Sequence, residues 1–176
     1  MNRAGSFQKE MLIVGMLSTD REMKDEAKRR LEELDGGCRY AGPSLPFTYT
    51  DYYDAEMGEG IERDFLAFET LVDPSLLAEF KLDTNRLEER FVVGGGRRVN
   101  LDPGLLSLGK LILASTKDNA QRIPLRDGIY AEVTLIYREK SYRPLPWTYP
   151  DYRSPEYLEI LHALREELRE KLQGEA

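Results

Sequence analysis

The chain has 176 residues, of which 41% are hydrophobic and 32% are charged, and its formal net charge is -7. These values are typical of a soluble folded domain, and they exclude a disordered chain and a broad basic surface for nucleic acid or anionic membranes. The only cysteine, Cys38, excludes an intrachain disulfide and a thiolate metal cluster within one chain, and it indicates a reducing, cytoplasmic location. No apolar run approaches the roughly 20 residues that a membrane span requires.

The first half of the chain predicts the order β-α-β-β-α-β. The apolar run at 11–17 predicts a strand covered on both faces, and Thr19 with Glu22 forms a capping box that opens a helix ending at 36–37. Aromatic and β-branched residues predict strands at 47–53 and 63–72. Asp73 and Pro74 then open a second helix whose apolar stripe reaches Phe91. This order matches a ferredoxin-like arrangement.

The second half changes to a period of two. Alternation predicts one long strand at 106–117, a short strand at 121–125 and another long strand at 129–138, in which Ala131 and Leu135 share a face and Glu132 lies on the other. A proline-rich crossing segment leads to a last helix opened by Ser154 and Pro155.

Together these elements predict a flexible N-terminus at residues 1–10 and a single α+β domain at residues 11–173. We expect a mostly antiparallel sheet with helices packed on one face. Extra antiparallel strands and a C-terminal helix would follow the ferredoxin-like start.

Charged residues within the strands carry the main functional signal. A buried carboxylate must be paired or change its pKa, and Lys117 and Arg122 are suitable partners for Glu132. We therefore predict a mixed-charge pocket on the sheet that binds a small polar or phosphorylated ligand. Its candidate residues are Asp51, Tyr52, Glu56, Asp102, Lys117, Arg122, Tyr130 and Glu132. A structural or interaction protein, in which the same charges form an ion-pair network without a ligand site, explains them equally well.

The acidic oxygens in this set would also suit a hard cation such as Mg²⁺, although the sequence assigns no metal ligand. Two fragments resemble nucleotide motifs without completing them. Gly104 to Lys110 has phosphate-loop spacing, but Leu111 replaces the Ser or Thr that holds magnesium. Residues 116–119 resemble a guanine-reading motif with the acid one position early. GTP or other nucleotide binding is therefore a minor alternative.

Other functional classes have weaker support. RNA contact through Arg97 and Arg98 conflicts with the net acidity of the chain. The only histidine, His162, lies beside the apolar stripe of the last helix, so the sequence identifies no catalytic residue and leaves open whether the protein is an enzyme. Nothing in the sequence indicates an oligomeric state.

Six blocks of the sequence resemble, in order, a family of bacterial and archaeal single-domain proteins of unknown function. They are Phe47–Tyr53, Glu56–Gly58, Asn100–Gly104, Ser115–Asp118, Gly128–Leu135 and Trp147–Tyr152. The resemblance implies one domain from about residue 11 to about residue 170, and no established activity, although some relatives carry a GTP-binding name. The family pattern has a histidine at the position of Gln121 and an aromatic residue at the position of Pro124. If that histidine serves chemistry in relatives, its absence weakens an enzymatic interpretation here.

Overall fold

The structure, a computed structural model, describes residues 5–174. The α-helices in this range are α1 (Arg21–Asp35), α2 (Asp54–Met57), α3 (Leu77–Glu89) and α4 (Pro155–Gly174), and short 3₁₀ helices at Pro74–Leu76 and Asp151–Arg153 precede the last two. Its strands are β1 (Glu10–Ser18), β2 (Cys38–Tyr40), β3 (Leu45–Pro46), β4 (Glu62–Val72), β5 (Val92–Val93), β6 (Gly96–Arg97), β7 (Asn100–Leu106), β8 (Lys110–Ser115), β9 (Ile123–Pro124), β10 (Tyr130–Arg138) and β11 (Ser141–Pro144). The flexible N-terminus predicted at residues 1–10 lies partly outside the described residues.

One antiparallel sheet organises the fold. Its strands follow the order β11-β10-β8-β7-β1-β4-β2, with β3 paired to β4 and β9 paired to β10. Within it, α1 connects β1 to β2 across β4, and α3 connects β4 to β7 across β1, which is the split order of a ferredoxin-like start. The α+β class, the mostly antiparallel sheet, the added strands and the C-terminal helix are therefore confirmed. No helix in the described range is long and apolar enough to cross a membrane.

Helices cover both faces of the sheet, which corrects the expectation that they share one face. Leu12 and Val14 of β1 pack in a core with α1 and α3, whereas Met11 and Ile13 pack in a second core with α4. The physical reason is that β1 buries every residue from Met11 to Ser18, so both of its faces need cover.

Two predicted strands are corrected as well. Residues 47–53 form a loop before α2, because β2 and β3 occupy the edge of β4 instead. The strand predicted at 106–117 is interrupted, because Leu106 ends β7, residues 107–109 form a hairpin turn, and β8 ends at Ser115. The turn is held by Ser107 Oγ, which accepts from the N–H of Lys110 at 3.1 Å. At the start of α1, Asp20 rather than Thr19 is the N-cap, accepting from the N–H of Met23 at 3.0 Å.

A β-bulge divides β10 between the two cores. The pairing of β10 with β8 shifts register between Val133 and Leu135. Ala131 packs against the α1 and α3 core, but Leu135 packs against the α4 core, so these residues do not share the face that simple alternation predicted. Glu132 lies opposite Leu113 of β8, on the α4 face.

Candidate functional site

The sheet opens between β7 and β8. The ladder that joins them runs from the pair Leu106 and Leu111 only to the pair Gly104 and Leu113. Beyond that point β7 stays paired with β1, while β8 stays paired with β10. The separation begins at Pro103, which has no N–H to donate to a ladder. A cavity of about 550 Å³, within the size range of small-molecule sites, lies at this fork, and we call it the cleft.

The walls of the cleft combine aromatic and charged side chains from distant parts of the chain. The aromatic residues are Phe47, Tyr49, Tyr52, Tyr53, Tyr149 and Tyr152. The charged residues are Arg63, Lys81, Glu88, Arg97, Asp102, Lys117, Arg122, Glu132 and Asp151. Because α3 supplies some of them and the segment before α4 supplies others, the cleft draws on both sides of the sheet.

Arg63 lies at the inner end of the cleft, and only 3% of its side chain is exposed. Its Nη1 donates to Asp102 Oδ2 at 3.1 Å, and its Nη2 donates to Asp151 Oδ2 at 3.4 Å. Gly15 makes room for this guanidinium, since a Cβ at residue 15 would lie 2.7 Å from Nη1. Burial alone would lower the pKa of Arg63, but the neighbouring Tyr152 and the two carboxylates outweigh it and raise that pKa, so the group stays charged.

Three buried polar atoms around this guanidinium have no hydrogen-bond partner among the described residues. They are Arg63 Nε, Tyr152 Oη and Tyr157 Oη. Leaving such a group unpaired costs about 1–3 kcal/mol, so folded proteins normally pair it with water or a ligand. Burial raises the pKa of Tyr152 well above its usual value, and its hydroxyl therefore keeps its proton and remains a donor. Arg63 and Tyr152 both line the cleft.

Asp102 is the main acceptor beside Arg63. Its Oδ2 also accepts from Asn100 Nδ2 at 2.9 Å, and its Oδ1 lies 4.0 Å from Lys81 Nζ. Burial would raise the pKa of Asp102, but Arg63, Lys81 and Asn100 together hold that pKa below its usual value, so the carboxylate is ionised. Lys81 is itself 7% exposed and donates to the carbonyl of Leu101 at 3.0 Å.

Arg122 organises the opposite wall. Its Nε donates to Glu132 Oε2 at 2.8 Å, its Nη1 to the carbonyl of Lys117 at 2.8 Å, and its Nη2 to Tyr149 Oη at 3.1 Å. Lys117 Nζ lies 5.1 Å from the centre of the Tyr52 ring, at the exposed mouth of the cleft. Among the described residues, no carboxylate lies within ion-pair distance of Lys117 Nζ.

The structure brings together five of the eight candidate residues, and these are Tyr52, Asp102, Lys117, Arg122 and Glu132. Glu56 does not line the cleft. Its carboxylate accepts from Nε and Nη2 of Arg97, a cleft residue, at 2.8 Å and 3.1 Å. Asp51 instead lines a separate pocket with Asp54 and Glu59. Tyr130 is paired with β8 and β9 and is not among the cleft residues. A role of any of the eight in ligand binding stays a prediction.

Sequence reasoning missed four charged residues of the cleft, which are Arg63, Lys81, Glu88 and Asp151. A signal existed for two of them: Arg63 interrupts the apolar strand β4, and Lys81 follows Leu77 by four residues on the buried face of α3. The segment from Gly104 to Lys110, which resembled a phosphate loop, forms the β7–β8 hairpin and leads into a strand instead of a helix.

The carboxylates of the cleft are committed to arginines. Asp102 and Asp151 bind Arg63, Glu88 binds Arg97 at 2.9 Å, and Glu132 binds Arg122. Within the part of the chain that the structure describes, no group of three or more His, Cys, Asp or Glu side chains is placed to hold a metal ion. The geometry therefore lends no support to the Mg²⁺ alternative.

Comparison with known families agrees with the resemblance seen in the sequence. The chain belongs to the family described as a domain of unknown function (DUF4416), whose model matches residues 8–168. No curated protein and no solved structure matches the chain. Because the family description names no ligand and no reaction, the function must be argued from the cleft.

Proposed function

We propose that this member of the family binds a small, polar, anionic ligand in the cleft between β7 and β8. The observation that carries the proposal is that Arg63 and Tyr152, two residues that line the inner end of the cleft, each have a buried polar atom, Nε and Oη, without a partner among the described residues. Donors left in this way are suited to acceptor atoms of a ligand.

The charge of the cleft supports an anion. Five Lys and Arg side chains line it against four Asp and Glu side chains, whereas the whole chain has 25 and 32. Each of the four acids is bonded to an arginine, which leaves Lys117, with no ion-pair partner in residues 5–174, to meet a ligand charge at the mouth. Cations that outnumber acids in a concave site attract anionic ligands to it. The sequence assigned the ligand charge to both Lys117 and Arg122, and this proposal keeps Lys117 alone, because Arg122 holds the wall together.

One part of the cleft fits the structural alternative. Arg97 donates from Nε, Nη1 and Nη2 to Glu56, Glu88 and Asn100, and its backbone N–H also donates to Glu56 at 3.0 Å. A guanidinium occupied in this way ties α2, α3 and β7 together. We therefore assign Arg97 to the frame of the cleft and exclude it from the ligand contacts.

A thermal-shift screen tests the proposal, with inorganic phosphate, sugar phosphates, nucleotides and Mg²⁺ as separate probes. A compound present at a hundredfold excess over its Kd stabilises the folded state by about 2.7 kcal/mol. We expect Lys117→Ala to weaken binding of the anionic compounds by about tenfold, equivalent to about 1.4 kcal/mol. The Tm of the ligand-free protein should change little. Lys9→Ala removes an exposed lysine outside the cleft and serves as the control. Absence of any shift across the panel would favour the structural alternative.

A further inference from the structure

We infer that the inner end of the cleft holds a polyhydroxylated group while the anionic group stays at the mouth, so that the ligand class is a sugar phosphate. This inference rests on the proposed function. It adds the chemical class of the ligand and the direction in which the ligand lies.

The inner end of the cleft is electrically balanced. Arg63 and Lys81 supply two positive charges there, and Asp102 and Asp151 supply two negative charges that contact or approach them. A phosphate placed beside Arg63 would also face both carboxylates, and like charges at short range in a buried site repel strongly. The inner end therefore suits an uncharged group.

The hydrogen-bonding groups at the inner end are of two kinds. Arg63 Nε is a donor and Tyr152 Oη can donate or accept, and neither has a partner among the described residues, while the oxygens of Asp102 and Asp151 are acceptors. A phosphate or carboxylate can only accept, and an ammonium group can only donate. A hydroxyl does both, so adjacent hydroxyls on one ligand can satisfy the unpaired donors and the carboxylates together.

Aromatic rings border these polar groups. The Phe47 ring centre lies 5.4 Å from the Arg63 guanidinium carbon and 6.0 Å from the centre of the Tyr53 ring, which also lines the cleft. Aromatic faces carry negative partial charge and attract groups with positive partial charge, such as the C–H faces of a sugar ring. The inner end thus offers an apolar surface beside mixed donors and acceptors.

The mouth of the cleft has the charge that the inner end lacks. The buried pair of Arg122 and Glu132 in the wall is neutral, and Lys117 adds one positive charge at the mouth, held over the face of Tyr52. An anionic group bound there remains close to water and avoids the carboxylates of Asp102 and Asp151. The volume of about 550 Å³ is sufficient for a monosaccharide phosphate.

Isothermal titration calorimetry with a matched series of compounds tests this inference. The probes are glucose 6-phosphate, ribose 5-phosphate, propyl phosphate, which lacks hydroxyls, and AMP. We expect at least one sugar phosphate to bind about tenfold more tightly than propyl phosphate. Tyr152→Phe should remove most of that preference and leave the affinity for propyl phosphate unchanged.

Tyr142→Phe is the matched control. The Tyr142 hydroxyl is also buried without a partner among the described residues, but Tyr142 packs against Tyr137 and His162 outside the cleft. Both substitutions remove an unsatisfied hydroxyl, so neither should lower Tm, and only Tyr152→Phe should change binding. A loss of binding together with a loss of Tm in Tyr152→Phe would indicate a structural role and contradict the inference.

The remaining outcomes separate the inference from the proposed function. Equal affinity for propyl phosphate and the sugar phosphates would overturn the polyhydroxylated inner end and leave the anion site standing. A tenfold preference for AMP over ribose 5-phosphate would place a base in the inner end and overturn the inference in another way. Failure of all four compounds to bind would contradict both.

Discussion

Two buried cations are held on opposite sides of β4, and they are bonded in different ways. On the α1 side, Lys24 Nζ donates to Ser44 Oγ at 3.1 Å, to Glu62 Oε2 at 2.7 Å and to Asp64 Oδ2 at 2.7 Å. An ammonium group has three N–H donors, so this cluster is complete. Arg63, one residue before Asp64 in the chain, faces the cleft with Nε unpaired among the described residues.

The difference distinguishes a structural ion pair from the site that we propose for a ligand. Both cations are buried, and both contact carboxylates, so burial and ion pairing alone do not distinguish them. The two residues differ in whether a side-chain N–H is left without a partner and in whether the residue lines a cavity. All three N–H groups of the Lys24 ammonium have a partner. Arg63 has an unpaired Nε and lines a cavity large enough for a small molecule.

The strongest test of this comparison is Lys24→Met. It would leave the carboxylate of Asp64, whose side chain is 4% exposed, without its cation, and removing one partner of a buried pair costs about 3–5 kcal/mol. We expect a loss of that size in the free energy of unfolding, measured by urea denaturation, with unchanged affinity of the cleft for anionic compounds. Lys28→Met, which breaks a more exposed pair with Glu32 on the same helix, should cost less than about 1 kcal/mol. A weaker ligand affinity in folded Lys24→Met would contradict the assignment of Lys24 to a purely structural ion pair.

A smaller change acts on the Arg63 side. In Gly15→Ala the new Cβ would lie 2.7 Å from Arg63 Nη1 and 3.3 Å from Tyr152 Oη, so the guanidinium must move. We expect a stability loss of about 1–3 kcal/mol from overpacking and a fall of at least tenfold in affinity for the sugar phosphates, measured by denaturation and calorimetry. Gly109→Ala is the control, since a Cβ there meets no heavy atom within 4 Å. Unchanged affinity in Gly15→Ala would mean that the position of Arg63 does not matter for binding.

The smallest expected effect concerns Asp35, at the end of α1. Burial, with further repulsion from Asp83 and Glu79, raises its pKa to about 6 from 3.8. The folded state therefore holds the proton more tightly than the unfolded state, and the stability contributed by Asp35 falls as pH rises from about 4 to about 6. Because the side chain is partly exposed, we expect Asp35→Asn to stabilise the protein at pH 7 by only about 1 kcal/mol.

The gain from Asp35→Asn should vanish below pH 4, because the Asp35 carboxyl is then protonated and, like the amide of asparagine, uncharged. Urea denaturation at pH 7 and below pH 4 measures the gain. Glu33→Gln removes a carboxylate at a more exposed position of the same helix and is the control, which should change the free energy of unfolding by less than about 1 kcal/mol at either pH. Anion affinity should be unchanged in both variants. A gain that persists at low pH would show that charge is not its cause.

Local patterns predicted the elements whose signals are contained in a few consecutive residues. The run at β1, the Asp73 cap before α3 and the Ser154-Pro155 start of α4 are examples. The segment 47–53 was predicted as a strand because aromatic residues favour strands, but Phe47 and Tyr53 pack against each other at the cleft instead. In that segment, tertiary contacts override the local preference.

One contact within the cleft could be predicted from the cost of burying a charge in a single strand. Glu132 interrupts an apolar strand, and that cost pointed correctly to Arg122 ten residues away. Asp151 lies 88 residues from Arg63, and nothing in the sequence joins the two. The contact exists because the segment before α4 returns over the open fork, which is a property of the whole topology.

The fork between β7 and β8 has a consequence for how such a protein can change. Its opening arises where main-chain pairing ends, at Gly104 and Leu113, and not from the side chains that border it. In the proposed function, a substitution at a wall residue outside the Arg97 and Arg122 networks, such as Lys117, would therefore change the ligand while the pairing of β7 with β1 and of β8 with β10 persists.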